Sequence, residues 1–127
     1  MPLHYEPDRA RHIAIIRGEG RVSFEDCAAV VAQQHAHVSW RLHELNDFRG
    51  AELAMSSAES ERLARMNIDL YSEVRGIRIA MVTDSKLAYD ISRMFAAYLG
   101  DRLEYQIFTD YDEALAWIGE AAGRESD

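Results

Sequence analysis

The chain has 127 residues, 48% apolar and 28% charged, a length and balance that suit one domain with a packed core and exclude a disordered chain. Its 14 Lys and Arg against 22 Asp and Glu leave a formal charge of −8 with no segregated basic stripe, so a nucleic-acid partner is not expected. Cys27 is the single cysteine, which excludes an intrachain disulfide, and the chain shows neither a membrane-length apolar run nor a leader-like start, so a cytoplasmic protein is expected.

Leu3 and Tyr5 alternate weakly before Pro7-Asp8, and His12-Ile-Ala-Ile-Ile-Arg17 is a dense β-branched run ended by Gly18 and Gly20. A β-hairpin is predicted. Ser23, with Asp26 three residues on, forms a capping box ahead of Phe24, Cys27, Ala28 and Val31, which predicts a helix over about 24–36. Val38, Trp40 and Leu42 alternate as a strand would, but His43, Glu44, Asn46 and Asp47 put polar groups on both faces, so the far end of that strand is expected to reach water or a ligand.

Ser56-Ser57-Ala-Glu59 offers a second capping box, and Leu63, Met66, Asn67 and Leu70 predict a helix over about 57–73. Ile77-Arg-Ile-Ala-Met-Val82 is nearly continuous in apolar residues and is expected to be the central strand. Asp84-Ser85 opens a third helix, in which Leu87, Ala88, Ile91, Met94, Phe95, Tyr98 and Leu99 make one wide apolar stripe stopped by Gly100. Leu103-Glu-Tyr-Gln-Ile-Phe108 alternates as a half-exposed strand, Asp110 caps a last helix carrying Ala114, Leu115, Trp117 and Ile118, and the tail from Gly123 is expected to fray. The order β-β-α-β-α-β-α-β-α implies an α/β domain over residues 1–122, with a mostly parallel sheet of four or five strands, an N-terminal hairpin and flanking helices.

Several patterns invite a chemical reading. Gly18-Glu-Gly20 lies between a strand and a helix, as in a dinucleotide-binding turn, but Ser23 replaces the third glycine and a plain capped turn is preferred. His35, His37 and His43 form a conceivable metal set only if residues 35–37 were extended, and a helix end is the expectation there. Cys27 falls on the apolar side of its helix and reads as a structural thiol. No hydrolase, metalloprotease or phosphate-loop motif is present, and no catalytic residue or cofactor is expected.

Ile79-Ala-Met-Val82, Tyr89-Asp-Ile-Ser-Arg-Met-Phe95 and Ile107-Phe-Thr-Asp-Tyr-Asp-Glu-Ala-Leu-Ala-Trp-Ile118 together resemble the SpoIIAA-like family of STAS/SEC14-type domains. Gly18-Glu-Gly-Arg-Val-Ser-Phe24 and Asp47-Phe-Arg-Gly50 extend the likeness over most of the chain. The resemblance implies a non-catalytic module that docks onto a protein partner. In some STAS domains this is switched by phosphorylation of a serine in an Asp-Ser-Ser-Gly stretch. Here the aligned residues are Met55-Ser56-Ser57-Ala58, so the serines match while the flanking Asp and Gly do not.

Three functions follow as expectations. The first is an interaction module whose surface comprises His43, Glu44, Asp47 and Arg49 with the helix start at Ser56 and Ser57, binding an unidentified protein or a second copy of the chain. The second, implied by the SEC14 side of the likeness, is a carrier of a lipid or other apolar small molecule under Ile91, Met94, Phe95 and Tyr98. The third is a small enzyme or metal protein using His35, His37 and His43.

Overall fold

The computed structural model describes residues 2–125. Strands β1 (Leu3–Asp8) and β2 (Ile13–Gly18) form the expected antiparallel hairpin. The Asp8 carboxylate accepts the Arg11 N–H at 3.2 Å, and His12 takes a left-handed φ of 56° to bring the chain back. Strand β3 (Gly20–Ser23), helix α1 (Phe24–Gln34) and a 3-10 helix (His35–Trp40) follow, then strands β4 (His43–Asp47) and β5 (Ala51–Ala54). Helix α2 (Ser57–Leu70), strand β6 (Arg78–Val82), helix α3 (Lys86–Leu99), strand β7 (Glu104–Phe108) and helix α4 (Tyr111–Glu125) complete the described chain.

The five-stranded sheet has the order β1-β2-β4-β6-β7, in which every pair after the hairpin is parallel. Strand β6 lies between β4 and β7, and β4 holds the middle, which corrects the expectation that residues 77–82 form the central strand. Residues 38–40, expected as extended, belong to the 3-10 helix. There side chains three apart eclipse, and the His37 and Trp40 rings stack at 4.2 Å. Arg41 then reverses the chain at φ 55° into β4.

The short strands β3 and β5 pair in parallel as a second, separate sheet that the sequence pattern did not reveal. Gly18 packs there at its closest. A Cβ on it would stand 3.1 Å from the Ala51 Cβ and 3.2 Å from the Phe48 ring. Gly20 has φ +64°. These glycines serve packing and turning, and the Asp26 carboxylate already accepts the Ser23 backbone N–H at the α1 start.

Helices α1, α2 and α3 cover one face of the sheet, packing Phe24, Val31, Leu63, Leu70, Ile79 and Leu99 into one cluster. Helix α4 covers the other face, where Leu45, Ala80 and Val82 meet Ala114, Ile118 and Ala122. Burial on both faces is the condition in which a parallel sheet is stable. The tail expected to fray from Gly123 continues α4 to Glu125, and residues 126–127 lie outside the described residues. Among the described residues no helix is long and apolar enough to cross a membrane.

Candidate functional site

Strand β4 alternates its side chains between the two helical layers. His43 and Leu45 face α4, while Glu44 and Asn46 face α1, α2 and α3. His43 is 0% exposed and Glu44 4%, which overturns the expectation that both belong to an exposed partner surface. The polar residues that the strand pattern left on both faces are covered because helices pack on both.

His43 Nδ1 accepts the Arg78 backbone N–H at 3.0 Å, and Nε2 stands 3.3 Å from Glu125 Oε1, to which its N–H donates. Burial holds the imidazole below its ordinary value, against the opposing pull of Glu125. Arg41 closes this corner with a two-pronged bond to Glu125, from Nε at 2.7 Å and from a terminal nitrogen at 3.1 Å. The Arg41 bond is the main reason that the Glu125 carboxyl lies below the usual carboxylate range.

Glu44 is the other buried ionisable group of this strand. Its Oε1 accepts the Gln34 amide at 2.6 Å and the Tyr71 hydroxyl. Desolvation nevertheless raises its carboxyl above the usual range, because donors to the ionised form offset only part of the loss of water.

Glu44 opens onto a cavity of about 80 Å³ between the sheet and the three helices. Ile91 and Phe95, two of the four residues expected to roof an apolar pocket, line it; Met94 and Tyr98 do not. Those two are 38% and 37% exposed, so the expected pocket is corrected at both positions. On a helix, 87, 91, 94 and 98 share a line roughly 100° from the line of 88, 92, 95 and 99, and the second line faces the sheet. Cys27 also lines the cavity, and its thiol is pushed up to about 12 by burial, with the Asp26 charge adding to the effect. Such a thiol stays protonated and is a poor nucleophile.

The hydroxyls of Ser92 and Tyr105 are buried without a hydrogen-bond partner among the described residues. They are neighbours on the wall of the cavity. The Ser92 hydroxyl acts on the Tyr105 phenol, but burial is the larger influence and raises the phenol above its ordinary value. No sequence signal marks Glu44, Ser92 and Tyr105 as one group. The register brings Glu44 and Tyr105 to one face, since Glu44 pairs with Ile79 and Ile79 with Tyr105 across β4, β6 and β7, and the packing of α3 adds Ser92.

Asp47 and Arg49 hold each other at the end of β4, with Arg49 donating to the two carboxylate oxygens at 2.8 and 2.9 Å and lying over the Tyr111 ring at 4.9 Å. The Arg49 bond holds Asp47 below its ordinary value. At the α2 start, Ser56 is the cap: its Oγ accepts the Glu59 N–H at 3.1 Å and its own N–H donates to Glu59 Oε1 at 2.8 Å. Ser57 Oγ lies 3.0 Å from the Tyr98 hydroxyl, so α2 and α3 are joined at this exposed edge. No hydrogen bond or ion pair among the described residues links the Asp47–Arg49 pair to Ser56 or Ser57.

His35 and His37 fall in the 3-10 helix, where His37 Nδ1 shares a 3.0 Å hydrogen bond with the Tyr5 hydroxyl. Among the described residues no group of three His, Cys, Asp or Glu side chains is placed to hold a metal ion.

Residues 13–119 match the SpoIIAA-like family, a span that runs from β2 into α4 and leaves out β1. The chain belongs to the SpoIIAA-like family. Its fold is similar to that of the anti-sigma factor antagonist SpoIIAA in its unphosphorylated form, with a TM-score of 0.62 and 14% identity over 91% of this chain and 96% of that one. It is also similar to an uncharacterized protein of the DUF3478 family with a SpoIIAA-like fold from Shewanella loihica PV-4, with a TM-score of 0.57 and 16% identity over 91% of each chain. At these identities the likeness is one of fold. No curated protein matches the sequence.

Proposed function

We propose that this SpoIIAA-like protein is a non-catalytic regulatory module that docks onto a protein partner through the α2 start and the outer line of α3. The observation that carries the reading is where exposed apolar surface concentrates. Among the described residues, the large apolar side chains left exposed are Leu87 (58%), Tyr89, Met94 and Tyr98, all on α3. Leu87, Met94 and Tyr98 share one line of the helix with half-buried Ile91, and Tyr98 touches Ser57. A contiguous apolar line rimmed by polar groups is the usual mark of a docking surface. The kinship with an anti-sigma factor antagonist supports a protein as the occupant. The thiol character of Cys27 and the full engagement of the His43 ring support a non-catalytic role.

The test uses the full chain and its Leu87→Glu/Met94→Glu variant as matched baits in lysate of the source cells. Both sites are exposed, so the variant should fold normally. A protein held by the unaltered chain and retained about tenfold less by the variant supports the reading. A set of captured proteins that the substitutions leave unchanged contradicts it.

A further inference from the structure

We infer that the cavity under α3 is a binding site for a small primary amine, a ligand with an apolar body and an ammonium head. The walls are set by Leu63, Ile79, Met81, Ile91 and Phe95, which offer dispersion contacts and no hydrogen bonds. The polar exceptions define the head group. The hydrogen bonds from Gln34 and Tyr71 to the Glu44 carboxyl both end on Oε1, and the Asn46 side chain is the other group that favours its ionised form. The Ser92 and Tyr105 hydroxyls are unpartnered among the described residues, although Ser92 is 2% exposed. Buried polar atoms of this kind are rare without a water or ligand to satisfy them.

Charge selects among ligands. Among the described residues no Lys, Arg or His lines the cavity, so a carboxylate or phosphate head would meet Glu44 without a cation to offset it. An ammonium group supplies three donors, one for the Glu44 carboxylate and others for the two hydroxyl oxygens. The register places Glu44 and Tyr105 two strands apart on one face, roughly 10 Å between backbones, with Ile79 as the floor between them. At about 80 Å³ the space is near half that of a cavity known to take benzene, roughly 150 Å³, which sets the ligand at about three non-hydrogen atoms. The site lies inward of the docking line: Ile91 belongs to both, while Leu87 and Met94 do not line the cavity.

Ethylamine and acetate share a two-carbon skeleton and carry opposite charge. Each is titrated at neutral pH into the isotope-labelled full chain while the amide resonances are followed. Saturable shifts at Glu44, Ile79, Ser92 and Tyr105 with the amine, and none with acetate, are expected. Glu44→Gln should weaken amine binding about tenfold or more, Ser92→Ala less, and Phe95→Trp should abolish it by filling the space. Equal binding of acetate, no saturable shift with the amine, or amine affinity unchanged by Glu44→Gln in a folded variant overturns the assignment. The comparison of the two ligands on the unaltered chain decides the matter even where a variant unfolds.

Discussion

His43 and Glu44 are chain neighbours buried on opposite faces of β4, and burial moves their protonation in opposite directions. The folded His43 ring lies below its ordinary 6.5, so as pH falls through that value the unfolded chain takes the proton first and stability declines. Ring-nitrogen resonances should therefore report a neutral Nε2–H tautomer that gains its proton only below pH 6.5; a ring that titrates at or above 6.5 would contradict the burial account. Glu44 has the reverse sign. Its folded carboxyl lies above the ordinary 4.5, so the unfolded chain releases the proton first and stability declines as pH rises from 4.5 towards the folded value. Glu44→Gln keeps an oxygen for Gln34 and Tyr71 and removes the ionisation. It should gain on the order of 1 kcal/mol in chemical denaturation at neutral pH, and the gain should vanish near pH 4. A difference independent of pH would count against it. The sequence displayed both polar side chains but not their fate, because the partner of His43 lies 82 residues away and that of Glu44 on α2 lies 27 residues away.

At the scale of the element, what was legible was local chemistry. Capping boxes at Ser23 and Ser56 and caps at Ser85 and Asp110 start the four helices where the sequence places them. Ser56→Ala should destabilise the chain by about 1 kcal/mol in urea, since it removes the acceptor for the Glu59 N–H. A change near zero would mean that the α2 start is held by packing alone. Elements set by distant contacts were not legible. Val38, Trp40 and Leu42 have the alternation of a strand, yet Arg9 over the Trp40 ring and Tyr5 on His37 fix a 3-10 helix there. Strands β3 and β5 are four residues each, too short for alternation to mark, and exist because they pair with one another.

At the scale of the molecule, the order of strands and helices was legible because each strand and helix carries its own periodicity, and the family resemblance agreed with it. The candidate site was legible only in part. Ser56 and Ser57 were read as partner surface and Ile91 and Phe95 as pocket residues, but the α3 stripe looked single when it is two lines, one turned to the sheet and one to the outside. Which line is covered depends on how α2 and α3 sit on the sheet, a fact of tertiary packing. The central claim is that the outer line of α3 is where a partner binds. Hydroxyl-radical footprinting of the side chains, with and without the captured partner, tests it most directly. Oxidation of Met94 and Tyr98 should fall in the complex while Tyr111 and Trp117 on α4 stay unchanged; protection at Tyr111 and Trp117 with Met94 unaffected would contradict it.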